Sequence, residues 1–331
     1  MKNNLKHIAS VLAARLQKID YERLPISDYN KRYIRNLKPA IGYFMQIYTE
    51  CLFKGITATG LNPSDITCID YGGGSGFLSI LAKEAGIGQV IYIDLNPDSV
   101  VTVQLLKQIT GSGPDIILQG SSDTLSEWCS TQHTKPHLLI ATDLIEHIYN
   151  LETFFSDLIS INSSMQMIFT TASTPYNPYV KWKLHRAMKG CETGTLESPN
   201  YYTKRYQYIK EKFPAFSEKE VSLWSNRTRG LVYPDIEKAI LGNTIPTLTD
   251  RYNTCDPETG NWTERILPIV NYQALLSQFH YQLKVEKGFY NTERKSFILS
   301  VIFKNINHII RNSGKPGFLL SPFIILHCSK K

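Results

Sequence analysis

The chain has 331 residues, of which 42% are apolar and 20% are charged, with 36 Lys and Arg against 29 Asp and Glu. This composition predicts a globular protein with room for one large domain, and internal repeats and low-complexity tracts are absent. Six cysteines are scattered without a CxxC pair, so no zinc site, no other metal site and no disulfide framework is expected, and a reducing cytoplasm fits best.

The first 62 residues predict a helical cap. Apolar positions recur at helical spacing over 5–19 and again over 39–52. The opening stretch faintly resembles a signal peptide, but serine and basic residues interrupt it, so we expect an amphipathic helix. Between the two stripes, residues 28–35 mix aromatic and basic side chains, which favours a solvated helix face. No apolar run approaches the roughly 18 residues that span a bilayer, so no membrane span is expected.

From residue 63 onward, short apolar strands alternate with helices, which predicts a parallel sheet with right-handed crossovers. Strands are predicted at 66–71, 89–95, 115–119, 137–142 and 165–171, and helices at about 77–85, 97–109 and 151–161. A polar turn is predicted between the third and fourth strands. After a long interval come a strand at 281–290, a helical stripe from 297 to 310 and a last strand at 317–328.

A glycine-rich turn follows the first strand of this series. Gly72, Gly74 and Gly76 allow the backbone to turn sharply and to approach a ligand closely. Asp94 closes the second strand, eighteen residues after the last of these glycines. An aspartate at that position accepts hydrogen bonds from two ribose hydroxyls in nucleoside-binding folds. The pair therefore predicts a nucleoside pocket.

The spacing of the glycines distinguishes between nucleosides. A dinucleotide fingerprint needs a third glycine where this chain has Phe77, which argues against a dehydrogenase. The run Asp70-x-Gly72-x-Gly74-x-Gly76 instead resembles motif I of the class I S-adenosylmethionine-dependent methyltransferases. The resemblance implies S-adenosylmethionine as the cofactor, with its methionine part held by this turn.

The resemblance also implies the fold and its division along the chain. We expect an α/β, doubly wound, mostly parallel seven-stranded sheet whose last strand is antiparallel. The helical cap would occupy 1–62, and the methyltransferase core 63–173 and 273–331. Residues 174–272 would form a large insertion between strands five and six. An insertion there lies over the cofactor crevice and is predicted to act as a substrate-binding lid.

A polar loop after strand three is the next position at which the family binds its cofactor. Ser121 or Asp123 would contact the adenine amino group. A purely structural role is equally open, because Ser and Asp are preferred at helix N-termini.

Strand four ends in Asp143-Leu-Ile-Glu146-His147, which looks like the Asp-x-x-Glu-His segment of many small-molecule methyltransferases. Asp143 would lie beside the methionine end of the cofactor. His147 is a candidate general base, since an imidazole can take a hydroxyl proton at neutral pH, and Glu146 would assist it. The alternatives are a structural histidine and a helix-start acid favoured by the helix dipole.

Charge is divided along the chain. Residues 63–171 carry 3 Lys and Arg against 12 acids, whereas residues 172–230 carry 11 against 5. The acidic core suits a cationic sulfonium ligand, and the basic flank predicts an anionic acceptor. The alternative is that the two parts merely attract each other across a solvated surface.

Substrate-binding residues are predicted in two parts of the insertion. Directly after strand five, the run that contains Tyr176, Asn177 and Tyr179 resembles the Asn/Pro-rich turn that often meets the substrate in this family. The basic residues His185 and Arg186 follow it and would bind a carboxylate or phosphate. A later turn-rich segment supplies two lid residues, Trp262 and Arg265.

These features predict S-adenosylmethionine-dependent O-methylation of a small, anionic or glycan-like metabolite, in small-molecule biosynthesis. Two alternatives remain open: an RNA or protein methyltransferase that uses the basic flank, and a catalytically silent cofactor-binding subunit. Nucleic acid is disfavoured, because the Asn/Asp-Pro-Pro-aromatic segment of such enzymes is replaced here by the segment that begins at Asp143.

Overall fold

The structure, a computed structural model, describes residues 1–194, 200–293 and 296–331, so residues 195–199 of the predicted insertion lie outside it. Its centre is a seven-stranded sheet in the order β3-β2-β1-β4-β5-β7-β6. The strands are β1 Thr67–Tyr71, β2 Gln89–Asp94, β3 Ile116–Gln119, β4 Leu138–Thr142, β5 Gln166–Thr171, β6 Tyr281–Lys287 and β7 Ile324–Lys330. The first five are parallel, and β7 lies between β5 and β6, antiparallel to both. The predicted sheet with an antiparallel last strand is confirmed.

Helices cover both faces of this sheet. Before β1 come α1 Lys2–Gln17, α2 Asp28–Leu37 and α3 Ile41–Thr59. Between β1 and β5 lie α4 Phe77–Glu84, α5 Pro97–Thr110, α6 Ser122–Thr131 and α7 Leu151–Ile161. Between β5 and β6 lie α8 Pro178–Thr193, α9 Tyr201–Lys212, α10 Glu218–Arg227, α11 Tyr233–Leu241 and α12 Ile269–Gln278, and α13 Phe297–Asn312 precedes β7. No helix of the described ranges is both long enough and apolar enough to cross a membrane.

The sheet is buried on both faces, as alternate residues of β4 show. Leu138 and Ile140 belong to one hydrophobic cluster, which includes residues of α1, α3 and α4. Leu139 and Ala141 belong to a second cluster, on the opposite face, with residues of α7 and α12. Successive strand residues point to opposite faces, so a continuous apolar run is what a doubly covered strand requires. Gly55 of α3 lies against Leu138, where an added Cβ would be 2.6 Å from a methyl carbon.

Four stretches differ from the sequence-based expectation. The predicted polar turn after β3 is the helix α6, whose buried positions Leu125 and Cys129 are one turn apart among polar residues. The predicted last strand begins at Ile324 rather than at residue 317. Residues 315–319 form a short 3₁₀ helix instead, and Pro316 in its first turn favours that start because the φ of proline is fixed near the helical value. The helices α8 to α12 were not predicted, and β6 ends at Lys287 rather than at residue 290.

Helices α9 to α11 form their own small core. It consists of five buried apolar residues: Ile209, Val221, Trp224, Ile236 and Ile240. Next to it the fully buried guanidinium of Arg205 pairs with Glu192, which also accepts a hydrogen bond of 2.6 Å from Thr254. A buried pair of this kind is sensitive to loss of either partner.

Candidate functional site

The glycine turn after β1 has a backbone conformation that favours glycine. Gly72 and Gly76 have φ values of 66° and 72°, in the left-handed region. An added Cβ at Gly72 would lie 2.5 Å from a methyl carbon of Leu144, and one at Gly76 would lie 2.2 Å from a methyl carbon of Val103. Both the backbone angles and the close packing therefore exclude side chains here.

Two aspartates hold the turn in place. Asp94 accepts hydrogen bonds from the Gly74 N–H (2.9 Å) and the Asn96 N–H (2.8 Å), one on each carboxylate oxygen. Asp70 accepts from the Ser79 N–H (2.9 Å) and hydroxyl (2.6 Å). Burial raises the pKa of Asp70 to about 7 in spite of these bonds, and burial raises the pKa of Asp94 as well. Both carboxylates are thus poised to gain from a nearby positive charge.

Helix α2 lies beside the turn, and residues 28, 29, 32, 33 and 35 are exposed, as the expected solvated helix face requires. The Tyr33 hydroxyl would lie 3.2 Å from a Cβ added at Gly74. Burial raises the pKa of Tyr33 to about 12, and the charges of Asp143 and Asp94 contribute. The ring nevertheless keeps 40% of its surface exposed. Tyr33 therefore lies at the mouth of the crevice, in contact with the turn on one side and with solvent on the other.

The loop after β3 lies beside Asp94, because the Gly120 N–H donates to the Asp94 main-chain oxygen (3.0 Å). Ser121 precedes α6, and its hydroxyl donates to the Asp123 carboxylate. Asp123 also accepts from the Thr124 N–H (2.7 Å). Asp123 thus lies in the first turn of α6, where a carboxylate is stabilised by the helix N-terminus.

The end of β4 carries the other half of the candidate site. Asp143 has a φ of 56°, rare for a residue with a side chain, and its N–H donates to Thr170 on β5 (3.0 Å). A short 3₁₀ helix, Ile145–His147, follows it directly. The charge of Asp143 raises the pKa both of Tyr33, above the glycine turn, and of Glu264. Asp143 is therefore close enough to act electrostatically on both Tyr33 and Glu264.

Glu146, His147 and Glu264 form a compact cluster, with one potential ligand atom from each residue within 4.8 Å of the others. The Glu146 carboxyl is fully buried, and burial, together with the charges of Asp143 and Glu264, raises its pKa well above the usual range. Glu264 has a φ of 54°, and its carboxylate accepts a hydrogen bond of 2.8 Å from the Ser173 hydroxyl. Burial raises the pKa of Glu264 also.

The predicted lid residues lie against this cluster. The Trp262 N–H donates to the His147 main-chain oxygen (3.2 Å), and the Arg265 N–H donates to that of Glu146 (3.2 Å). The Arg265 guanidinium lies 4.9 Å from the centre of the Trp262 ring, which stacks on Tyr149. Trp262 is buried. The segment is thus docked on the end of β4.

The group after β5 is arranged around α8. Its members are Tyr176, Asn177, Tyr179, His185 and Arg186. Asn177 is buried and caps α8, since its side-chain oxygen accepts from two N–H groups of the first turn and its amide donates to Ser321.

The two aromatic residues of this group are the more exposed ones. Tyr176 packs on Phe318, and Tyr179 stacks on Trp182. The exposed fractions of Tyr176 and Tyr179 are 37% and 58%. Both rings are therefore accessible to a ligand.

The basic residues of the same group are held differently. His185 lies 3.1 Å from the Asp250 carboxylate and stacks on Tyr252. Lys181 pairs with the same carboxylate at 3.0 Å. The Arg186 guanidinium lies over the Trp182 ring at 5.1 Å. Asp250 therefore offsets part of the basic excess that the sequence places here.

Sequence reasoning missed two residues of the site, Tyr33 and Glu264. Both belong to segments that it singled out for other reasons. Tyr33 lies in the aromatic and basic stretch 28–35, and Glu264 lies between the two predicted lid residues. Each reaches the site through packing of segments that are distant in the chain.

No family model matches this chain, and no curated protein matches it. Solved structures with a similar fold include the magnesium protoporphyrin IX methyltransferase from Synechocystis with bound SAH (14% identity, 89% of this chain and 87% of that one, TM-score 0.41). A SAM-dependent methyltransferase from Archaeoglobus fulgidus shares 15% identity over 90% of this chain and 99% of that one (TM-score 0.42). The plantazolicin methyltransferase in complex with SAH shares 10% sequence identity over 100% of this chain and 98% of that one (TM-score 0.42). Likenesses at this level assign neither an activity nor a substrate to this chain.

Proposed function

We propose that this chain is an S-adenosylmethionine-dependent methyltransferase that acts on a hydroxyl group of a small acceptor. The observation that carries the proposal is the contact between the Asp94 carboxylate and the Gly74 N–H (2.9 Å). It brings the acid at the end of β2 against the glycine turn, the arrangement in which this fold holds a nucleoside. Each Asp94 oxygen accepts one N–H and has a second lone pair left for a ribose hydroxyl.

The remaining cofactor contacts follow from this placement. Ser121 and Asp123, on the loop beside Asp94, would contact the adenine. Asp70 and Asp143 would surround the methionine end, which carries a positive sulfonium and a positive ammonium group. Carboxylates whose charge is disfavoured by burial gain stability from such a ligand.

The transfer step requires an oxygen nucleophile in line with the methyl carbon and the sulfur. A lone pair of the acceptor oxygen forms the new C–O bond as the C–S bond breaks, and the electrons of that bond return to sulfur to give S-adenosylhomocysteine. Correct positioning can supply roughly 7–11 kcal/mol of the barrier reduction. The hydroxyl proton passes to His147 Nε2, the nitrogen that remains free because Nδ1 is hydrogen-bonded to the Trp262 main-chain oxygen (2.7 Å).

We take residues 174–272 as the acceptor-binding insertion. Support comes from the docking of Trp262 and Arg265 on the end of β4, where the methyl group would be presented. Arg186, with its guanidinium over Trp182, supplies positive charge for an anionic acceptor, and the exposed ring of Tyr179 lies on the same helix.

Calorimetric titration with S-adenosylhomocysteine tests the cofactor part. The wild-type chain should bind it, and Asp94→Ala should weaken binding at least about tenfold, because two charge-assisted hydrogen bonds are lost. Asp65→Ala is the matched control, since Asp65 is exposed and precedes β1 at the opposite end of the strand. Absence of binding by the wild type, or equal loss in both variants, would contradict the proposal. Release of S-adenosylhomocysteine across a panel of anionic hydroxyl compounds then tests turnover and separates an enzyme from a silent binding subunit.

A further inference from the structure

Glu146, His147 and Glu264 have the composition and spacing of a metal site. Two carboxylates and one imidazole offer ligand atoms within 4.8 Å of one another. No Lys or Arg forms an ion pair with either glutamate within the described part of the chain. The His147 imidazole is thus the basic group nearest to the two acids, and a bound cation would supply further positive charge.

Glu146 is the member of the cluster that would gain most from a bound cation, because its carboxylate is buried. Its side chain is fully buried, and neither carboxylate oxygen has a hydrogen bond of normal geometry in the described ranges, although the nearby Thr171 hydroxyl lowers its pKa slightly. Burying a carboxylate without a partner is costly, and natural proteins pair such groups with a cation or a metal ion. A cation bound from solution would give the Glu146 carboxylate the close partner that these residues do not supply.

The other two side chains are oriented as ligands usually are. The His147 Nδ1–H donates to the Trp262 main-chain oxygen at 2.7 Å, which directs the lone pair of Nε2 away from that contact. The Ser173 hydroxyl donates to one oxygen of Glu264 and leaves the other free. Such secondary hydrogen bonds fix the tautomer and orientation of metal ligands in proteins.

We infer that Glu146, His147 and Glu264 bind a divalent cation, for which Mn²⁺ is the ion to test, and that the acceptor hydroxyl completes its coordination shell. Mn²⁺ accepts carboxylate and water ligands and takes six ligands, so three protein ligands leave positions open for an acceptor. A closed structural zinc site would instead need four protein ligands.

This inference rests on the proposed methyl transfer for its account of the acceptor. As a ligand of the cation, the acceptor hydroxyl becomes more acidic and releases its proton to water. The resulting oxyanion attacks the methyl carbon as the C–S electrons return to sulfur. In the cation-bound site His147 is a ligand, and the role of base proposed above for its Nε2 applies only to the site without a cation. The acceptor class then narrows to hydroxyl compounds that can coordinate a metal ion.

Titration of the metal-free chain with MnCl₂, followed by electron paramagnetic resonance of free Mn²⁺, tests the site without any acceptor. One Mn²⁺ per chain should bind, and Glu146→Gln, His147→Ala and Glu264→Gln should each weaken binding at least about tenfold. Glu152→Gln, an exposed acid in the first turn of α7, is the matched control and should bind as the wild type does. Absence of Mn²⁺ binding, or wild-type binding by the folded ligand variants, overturns the inference.

Two further measurements, of melting temperature and of S-adenosylhomocysteine binding, separate the metal site from the proposed function. If a ligand variant fails to fold, the melting temperature of the wild-type chain tests the site by itself. A specific site raises that temperature in Mn²⁺ but not in NaCl of equal ionic strength. S-adenosylhomocysteine binding is measured on the same samples. Cofactor binding without Mn²⁺ binding overturns the metal site and leaves the proposed function standing. Mn²⁺ binding without cofactor binding overturns the proposed function and leaves the metal site standing.

Discussion

His147 Nδ1 donates a hydrogen bond of 2.7 Å to the main-chain oxygen of Trp262, 115 positions further along the chain. A carbonyl oxygen only accepts, so Nδ1 carries the proton and the tautomer of His147 is set by the insertion. Main-chain bonds from Trp262 and Arg265 reinforce the same contact. The end of β4 and the segment that contains Glu264 are therefore joined as one unit.

Removal of this side-chain bond should loosen the docked segment. In His147→Ala the main-chain bonds to Trp262 and Arg265 lose the support of a bond with a net value of about 0.5–1.5 kcal/mol. Hydrogen exchange at those two amides should then be about 2- to 13-fold faster. The Gly72 amide, bonded to Ile93 within the core, is the internal reference, and His7→Ala on the exposed face of α1 is the control variant. Unchanged exchange at Trp262 would show that the histidine does not hold the segment.

A methyl group at Gly76 should destabilise the chain more than one at Gly86. Both glycines have positive φ, so alanine costs about 1–2 kcal/mol at either position. Only at Gly76 does a Cβ meet another group, Val103 at 2.2 Å, whereas nothing lies within 4 Å at Gly86. Overpacking adds about 1–3 kcal/mol, measurable by urea denaturation. A Val103→Ala background should recover part of the difference, and equal losses at the two glycines would disprove the steric argument.

Stability should depend on pH through Asp70. Its pKa is about 7 in the folded chain, above the ordinary value near 3.9. The folded state therefore retains a proton that the unfolded state releases, so this contribution to stability is complete below about pH 4 and is lost as pH rises to about 7. Asp70→Asn should flatten the dependence between pH 5 and 7, by up to about 1.4 kcal/mol per pH unit. Parallel slopes for the two chains in urea denaturation would refute the assignment.

Tyr33 should control exchange of a ligand at the glycine turn. Its hydroxyl contacts the mouth of the crevice at Gly74, so Tyr33→Ala should speed both binding and release of S-adenosylhomocysteine. Loss of one aromatic contact, about 0.5–1.5 kcal/mol, corresponds to roughly a 2- to 13-fold faster release in stopped-flow fluorescence. Tyr29 stacks on Tyr33 and is more exposed, so Tyr29→Ala is the control with a smaller effect. A faster release of S-adenosylhomocysteine from Tyr29→Ala than from Tyr33→Ala would show that Tyr33 does not control ligand exchange.

Local patterns predicted the sheet and the glycine turn well. Strands β1 to β5 are apolar runs bounded by turn residues, and their observed limits differ from the predicted ones by a single residue. Asp94 and the glycines were recognisable because a parallel βαβ unit holds them at a short, regular spacing. The helix α6 was missed because only Leu125 and Cys129 of its polar sequence are buried apolar positions.

Long-range packing explains what local patterns could not predict. Glu264 reads as one acid in a turn-rich segment, and only its contact with Ser173 and the docking of its neighbours on β4 bring it to Glu146. Tyr33 reads as part of a solvated helix, since nothing local indicates that α2 lies beside the glycine turn. Contacts of this kind depend on how distant segments pack, which spacing within one segment does not encode.

The position of β7 governs the order in which the sheet can be completed during synthesis. This strand, Ile324–Lys330, lies between β5 and β6, and β6 pairs with no other strand in the described chain. Until residues 324–330 leave the ribosome, β5 presents an open edge and β6 has no place in the sheet. A nascent chain that already contains every proposed cofactor and metal ligand must therefore wait for its last strand, and open strand edges are where newly made proteins associate wrongly.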